Sequence, residues 1–384
     1  MNSLQSLPAE APDHADALLE RVADIADGPL AALAYRIDQE GHYPLEIMRA
    51  LGEAGGLDAH LGEHPRFDLA IGAMQRVARR CGTTGFLVWA HQVCGLYMAR
   101  SGNPALAGAR LDAHRRGARF GGTALSNPMK ALSGIERMAL RARPDGHGGY
   151  RVSGVLPWVS HIAPGQYCGA LAQVRDDRDR IQGEIMFLLE CDDQVELRPC
   201  PTFSGMEGSS TWGIRLQDYP VGAERLIADP ARPFIAEVRA GFILLQAGMA
   251  LGVAQGSLDS ILEVEGQLGH VNRFLDQRPD TLRAELEDLE RRAGLLAATP
   301  YDDSRDYLLD VLDLRTQGAD FALRAAQSAM LHQGARGYAL SAAAQRRLRE
   351  AQFVAIVTPA IKHLRWEMDR LCREQWPAGE ETSA

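Results

Sequence analysis

The chain has 384 residues, of which 46% are hydrophobic and 24% charged, a composition typical of a globular protein with two or three packed units. Its 41 Lys and Arg are outnumbered by 50 Asp and Glu, and the formal net charge is −9. This balance argues against nucleic-acid binding, because phosphate backbones are met by concentrated positive charge. The first residues show no basic, apolar leader and no uninterrupted apolar run of about 18 residues follows, so we expect a cytoplasmic protein without a membrane span.

The six cysteines are scattered along the chain without a C-x-x-C pair. No compact group of His and Cys residues accompanies them. We therefore expect neither a metal site nor a disulfide framework, and reduced thiols.

The first third of the chain is helical in pattern. From Ala17 to about Ser101, apolar residues recur at helical spacing, as in FDLAIGAMQRVARRC, and Gly and Pro separate the segments. The pattern predicts an N-terminal helical domain over residues 1–116.

The middle of the chain has a different pattern. Short alternating runs such as GYRVSGVLPWVS and GEIMFLLE are separated by glycines and polar turns. Such closely spaced runs predict a small, mostly antiparallel β domain over residues 117–230.

Four long helical patterns follow in residues 231–384, the last from about Ser341 to Arg373. Helices of this length favour an up-and-down four-helix bundle. Gly248, Gly252 and Gly256 recur every four residues, which predicts one face that a neighbouring helix approaches closely. The fold class is thus mainly α with a central β domain. No G-x-G-x-x-G is present, so a bound dinucleotide would not be held on a βαβ turn.

Four segments occur in an order that resembles the acyl-CoA dehydrogenase superfamily. GTALSNP (122–128) resembles the family's A-x-T-E-P loop, and LPWVSH (156–161) resembles its K-x-W-I-T-N element. FSGMEGSST (203–211) is similar to G-M-R-G-T-x-T, and HQGARGY (332–338) to Q-x-x-G-G-x-G-Y. The resemblance implies an N-terminal helical domain, a middle β-barrel and a C-terminal four-helix bundle, with FAD between barrel and bundle.

The same resemblance implies which barrel residues would bind the flavin. Leu125, Ser126, Trp158, Val159 and Ser160 match the cofactor-binding positions, with Trp158 against the isoalloxazine and the Ser160 hydroxyl near flavin N5. An apolar wall with a few fixed donors is what a flavin requires. From the residues alone, Trp158 is equally well a core aromatic and Ser160 a strand-end hydroxyl.

A second set of cofactor positions lies in the predicted bundle. Gln333, Gly334, Arg336 and Gly337 match the turn that supports the FAD pyrophosphate across a subunit interface in the family. The resemblance therefore implies a homotetramer or homodimer. The alternative is that the glycines only end one helix and open a turn.

The chain departs from the family at both positions where relatives carry the catalytic Glu. Alignment places Ile356 at one and Phe242 at the other, and neither can abstract a proton. Ser133 stands at the Asp of the G-S-D element that contacts the CoA chain, so Ser133, Phe242 and Ile356 are the implied substrate-binding positions. His363 and Glu367 are the candidates for proton transfer, since residues four apart share a helix face, although a structural pair is the alternative.

Three functions remain open from the sequence. The first is FAD-dependent oxidation of an acyl thioester, carried by CoA or a carrier protein, by hydride transfer to flavin N5, with an electron-transfer flavoprotein as partner. The second is a flavin-dependent monooxygenase on the same fold, using oxygen and reduced FMN or FAD from a reductase. The third is a catalytically inactive scaffold.

Overall fold

The computed structural model describes residues 12–373, in which a sheet domain lies between two helical parts. The predicted fold class is confirmed. The helices are α1 (Pro12–Ile25), α2 (Ala31–Gln39), α3 (Leu45–Glu53), α4 (Phe67–Arg80), α5 (Gly82–Arg100), α6 (Ala109–Arg115), α7 (Ser126–Leu132), α8 (Ala231–Asn272), α9 (Pro279–Ala297), α10 (Arg305–Gln333), α11 (Ala343–Ile356) and α12 (Ile361–Arg373). The strands are β1 (Gly121–Thr123), β2 (Leu140–Pro144), β3 (Tyr150–Val159), β4 (Tyr167–Arg175), β5 (Ile181–Glu190), β6 (Glu196–Arg198), β7 (Trp212–Val221) and β8 (Leu226–Ala228).

The strands form one sheet with the order β6-β7-β3-β2-β4-β5-β8, and β1 pairs with β4 in parallel. The β3–β7 ladder is antiparallel and its register shifts between Leu156 and Val159, before the last pair, Val159 with Trp212. Pro157 and Trp158 therefore lie in a bulge, a feature that re-aims side chains at a sheet margin. The irregular end of β3 is where the candidate site begins.

Helix α5 is the helix on which the other parts pack. All its residues from Gly82 to Met98 are buried, which explains why its sequence is apolar on every face instead of amphipathic. It contacts β1 of the sheet on one side and α4 and α8 on the other.

The long helix α8 contains an 18-residue window with mean hydropathy 1.5, long and apolar enough to cross a membrane. However, 83% of that window is buried inside the protein, as in a core helix. Its glycine stripe lies against α4: a Cβ on Gly252 would stand 2.4 Å from the Gln75 carbonyl oxygen, and one on Gly248 2.6 Å from that of Ile71. The predicted close approach of a neighbouring helix is confirmed.

The fourth predicted helix, from about Ser341 to Arg373, is interrupted and forms two helices. α11 ends at Ile356 and α12 begins at Ile361. Pro359 explains the break, because proline lacks the N–H that a continuous helix would use and disfavours helical backbone at Thr358.

Charged residues of α11 join this helical part to the N-terminal helices. Arg349 pairs with the buried Asp38 through two hydrogen bonds of 2.7 and 2.6 Å and donates to the Ser204 carbonyl. Glu350, 3% exposed, accepts from the backbone N–H of Gly82 at 2.9 Å. α11 thus contacts the α2, α5 and sheet regions through buried polar bonds.

Candidate active site

The end of β3 presents an aromatic side chain to the outside. Trp158 is 58% exposed, and its ring lies edge-on to Phe203 with centroids 6.1 Å apart. The adjacent Val159 is buried in the sheet core. Of the predicted flavin wall, therefore, only Trp158 is available to a ligand through its ring.

Three hydroxyl groups form a chain beside Trp158. Ser160 Oγ and Thr211 Oγ1 are 2.7 Å apart, and Thr211 Oγ1 is also 2.7 Å from Ser209 Oγ. Ser209 is 2% exposed, whereas Ser160 and Thr211 are half-buried. Ser160, a predicted cofactor residue, is the accessible end of this chain.

The backbone around these hydroxyls is strained. Three of the five described non-glycine residues with positive φ are found here: His161 (58°), Met206 (68°) and Ser210 (47°). The two segments that carry these residues are hydrogen-bonded to each other, because the His161 N–H donates to the Ser209 carbonyl at 2.9 Å. Such strain persists only where surrounding contacts enforce it, and it is concentrated at functional sites.

Leu125 and Ser126 lie at the start of α7, so the predicted loop is a short helix from Ser126 onward. Leu125 is buried, whereas the Ser126 hydroxyl is exposed and lies 2.9 Å from that of Thr358. The Thr358 carbonyl in turn accepts from Gln246 at 2.9 Å. The turn between α11 and α12 is thereby fixed between α7 and α8.

A buried cation completes this network. Arg315 is 1% exposed and donates from Nε to Gln246 Oε1 at 2.6 Å and from Nη2 to the Val354 carbonyl at 2.5 Å. Burial lowers the pKa of the Arg315 guanidinium to about 10, which leaves it charged at neutral pH. No pattern in the sequence indicates that this arginine lies in the core.

A cavity of about 250 Å³ lies between α7, α8, α10 and α12. Its lining combines apolar side chains with polar groups, most of which belong to α12. Leu132, Ser133 and Pro359 are among the lining residues, with Ile235, Arg239 and Ile243 from one face of α8 and His363, Trp366, Glu367 and Arg370 from one face of α12.

Ser133, His363 and Glu367 make direct contact in this cavity. Ser133 Oγ donates to Glu367 Oε1 at 2.5 Å, and His363 Nε2 lies 2.9 Å from Ser133 Oγ. The Glu367 carboxylate can only accept, so the Ser133 hydroxyl proton must be donated to it. The Ser133 oxygen then accepts its second hydrogen bond from the Nε2–H of His363. In the neutral ring Nδ1 is then unprotonated, and it has no hydrogen-bond partner among the described residues. His363 is 5% exposed, so it offers a buried lone pair.

The same contacts make Glu367 a poor base. Burial raises its pKa, but the hydrogen bonds from His363, Ser133 and Arg370 outweigh burial and lower it to about 2. A carboxylate this weakly basic does not abstract protons efficiently near neutral pH. Of the two predicted candidates, His363 has the chemistry of an acceptor, whereas Glu367 orients its neighbours.

The structure places neither of the two positions where relatives carry the catalytic Glu in the wall of this cavity. Phe242 is 3% exposed and packs edge-on against Trp89 with centroids 5.1 Å apart. Ile356 is 69% exposed at the end of α11. Neither lines the cavity, whereas Ser133 does.

The predicted pyrophosphate turn lies far from the flavin wall within one chain. Gln333 Nε2 donates to the Ser260 carbonyl and Arg336 Nη1 to Gln267 Oε1, while Gly334 adopts φ 58°; Gly337 is buried in the same turn. Gln267 is 21 residues beyond Gln246 on α8, which corresponds to about 30 Å along the helix. The turn therefore lies far along α8 from Gln246, which is bonded to the Thr358 that contacts Ser126.

The end of the sheet nevertheless has the groups that a flavin requires. Trp158 offers an exposed aromatic face, and Ser160 offers a hydroxyl whose orientation is set by Thr211. In three hydroxyls joined by two hydrogen bonds, one proton remains to be donated to a ligand. Thr211 and Ser209 belong to the segment quoted for the resemblance, but their contact with Ser160 crosses the bulged ladder and is not readable from sequence.

Comparison with known proteins agrees with this architecture. Residues 12–117 match the acyl-CoA dehydrogenase N-terminal domain. The chain is 26% identical over 356 residues to YngJ, a probable acyl-CoA dehydrogenase of Bacillus subtilis, covering 88% of this chain and 92% of that protein. These matches support the assignment of the chain to the acyl-CoA dehydrogenase superfamily.

Two solved structures show how widely this fold is used. Butyryl-CoA dehydrogenase from Megasphaera elsdenii has a TM-score of 0.82 at 18% identity, covering 96% of this chain and 100% of that chain. The dibenzothiophene monooxygenase TdsC from Paenibacillus sp. A11-2 has a TM-score of 0.75 at 15% identity, covering 93% and 97%. At these identities the likeness extends to the fold alone.

Proposed function

We propose that the protein is a flavin-dependent oxidoreductase that oxidises a substrate bound in the cavity between α7 and α12, with His363 as proton acceptor. The observation that carries the proposal is the Ser133–His363–Glu367 cluster in the cavity wall. Ser133 follows α7 and Ser126 begins it, so the cluster stands about 10 Å from the predicted flavin edge. A bound substrate can span that distance.

Each residue has a distinct part in this reaction. Bound flavin, FAD by family resemblance or FMN, supplies the electron acceptor. His363 Nδ1 takes the proton from substrate, while Ser133 holds Nε2 and Glu367 stabilises the imidazolium that results. Trp158 excludes water from the flavin wall, and Ser160 donates a hydrogen bond there.

The proposed substrate is an acyl thioester, because the chain is most similar in sequence to acyl-CoA dehydrogenases. Its apolar part would contact the α8 face formed by Ile235 and Ile243. An electron-transfer flavoprotein would then accept the electrons.

A flavin-dependent monooxygenase is the second candidate. It is favoured because both positions of the family's carboxylate base hold side chains without a titratable group, Phe242 and Ile356. TdsC, described as a monooxygenase, shares the fold. In that case a reductase would supply the reduced flavin.

A homo-oligomer accompanies either reaction. The turn with Gln333 and Arg336 would serve the flavin of a neighbouring subunit, since its partner Gln267 lies about 30 Å along α8 from Gln246, which is bonded to the Thr358 that contacts Ser126. Large apolar side chains are exposed beside this turn, with Leu331, Tyr338 and Leu340 each more than half exposed. Exposed apolar clusters of this kind are typical of subunit contacts.

Anaerobic reduction of the flavin-loaded protein tests the proposal. Titration with a panel of acyl-CoA thioesters, beginning with butyryl-CoA, should bleach the bound flavin. His363→Gln should slow this step at least about 100-fold, the usual contribution of a positioned base, with flavin affinity unchanged. The matched control is His147→Gln, because His147 is exposed on a turn.

Three results would each decide against a part of this proposal. Bleaching at the wild-type rate in His363→Gln would remove His363 from the reaction. Oxygen consumption only after addition of reduced flavin would favour the monooxygenase. A protein that binds neither FAD nor FMN would be the inactive scaffold.

A further inference from the structure

The hydroxyl chain Ser209–Thr211–Ser160 has one proton more than its internal hydrogen bonds use. Three hydroxyls share two bonds of 2.7 Å each, and each hydroxyl donates once. The remaining proton can belong to any of the three. Where it resides decides whether Ser160 acts as donor or acceptor toward a ligand.

Burial excludes one of the three arrangements. Ser209 is 2% exposed, and an unbonded hydroxyl proton buried there would be unfavourable because it would lose its hydrogen bond to water. Ser209 therefore donates to Thr211. Thr211 then either donates to Ser160, which leaves the Ser160 proton pointing outward, or accepts from Ser160 and turns its own proton outward. Ser160 and Thr211 are both half-buried, so in either arrangement the free proton can reach solvent or a ligand.

We propose that Thr211 is a positioning residue that lets Ser160 reverse its hydrogen bond when the flavin is reduced. This rests on the proposed flavin site. With oxidised flavin bound, whose N5 has no hydrogen, Ser160 would donate to the ring while accepting from Thr211. Reduced flavin would present an N–H at that position, so the Ser160 oxygen would have to accept and its own proton would need another acceptor.

Thr211 is that acceptor. Thr211 Oγ1 is the hydrogen-bond partner of the Ser160 hydroxyl. When Thr211 accepts from Ser160, the hydroxyl proton of Thr211 turns toward the partly exposed side of the site. Without Thr211 the Ser160 proton and the proton on reduced N5 would point at each other. The oxidised state loses much less, because Ser160 can donate to N5 unaided.

The test is the redox potential of the flavin-loaded protein, measured against reference dyes. Thr211→Val should lower the two-electron potential by about 30 mV, equivalent to a tenfold weaker preference for reduced flavin, the size expected for one hydrogen bond. Affinity for oxidised flavin should stay within about threefold of wild type. Thr211→Ser, which keeps the hydroxyl, should restore the wild-type potential.

A double substitution tests whether Thr211 acts through Ser160 or through a general structural effect. In the Ser160→Ala background, Thr211→Val should cause no further change, because there is no Ser160 proton to accept. An unchanged potential in Thr211→Val, or an equal shift with and without Ser160, would overturn the inference while leaving the flavin site intact. Absence of flavin binding in the wild type would overturn the proposed function itself.

Discussion

Acidification from pH 7 to pH 5 should destabilise the protein, because histidines are buried uncharged where the N-terminal helices meet the sheet. His60 and His91 are fully buried. Burial lowers the pKa of His60 to about 4 and that of His91 to about 3. The His91 ring stacks on His114 with centroids 3.6 Å apart, and burial also lowers the pKa of His114 and of His161.

The magnitude follows from the two printed pKa values. The unfolded chain binds these protons near pH 6.5, so the stabilisation is complete above that pH and is lost as pH falls toward 4 and 3. At pH 5, His60 and His91 should each cost about 2 kcal/mol relative to pH 7. His114 and His161 act in the same direction. Carboxylates with lowered pKa, such as Glu367, begin to destabilise only below about pH 4.5.

Urea unfolding followed by circular dichroism at pH 7, 6 and 5 gives the free energy of unfolding directly. The wild type should lose at least about 4 kcal/mol over this interval. His60→Gln should lose about 2 kcal/mol less, because one titrating group is gone, whereas His147→Gln at an exposed turn should behave as wild type. A flat profile, or an equal loss in His60→Gln, would refute the reasoning.

Two further predictions concern packing and charge. Gly252→Ala should destabilise the protein by about 1–3 kcal/mol because its Cβ would overlap Gln75. Gly266→Ala, which lies in open space on the same helix, should instead stabilise it by up to about 1 kcal/mol. Equal midpoints of the two variants in thermal unfolding would contradict this. Asp38→Ala should cost about 3–5 kcal/mol by leaving the mostly buried Arg349 without its carboxylate, and a loss below 1 kcal/mol in urea unfolding would mean that water replaces it.

The order of helices, sheet and helices was readable because apolar spacing changes from helical to alternating and back. The break at Pro359 was also present in the sequence, but the strong helical pattern on both sides concealed it. α8 was recognised as a helix. Its burial on nearly every side could not be read, since periodicity carries no information when all faces are apolar.

The candidate site was readable only in part. Spacing along one helix predicted that His363 and Glu367 share a face, and both line the cavity. Their contact with Ser133 spans 230 residues and more, and no local pattern reveals it. Glu367 could be excluded as the base only once its three hydrogen-bond donors were located, because the pKa of a carboxyl group depends on its neighbours in space.

The polar bonds of α11 also have a consequence during synthesis. The Gly82 N–H lies in the first turn of α5, where the helix offers it no acceptor, and it donates to Glu350, 268 residues later in the chain. The helices that contain Gly82 and Asp38 therefore emerge from the ribosome long before Glu350 and Arg349, the residues that bond to them. Domains usually fold as they emerge, but here the first third of the chain cannot complete these hydrogen bonds until the last third has been synthesised. Truncated chains ending before α11 should consequently be captured by chaperones or proteases, and not accumulate as folded fragments.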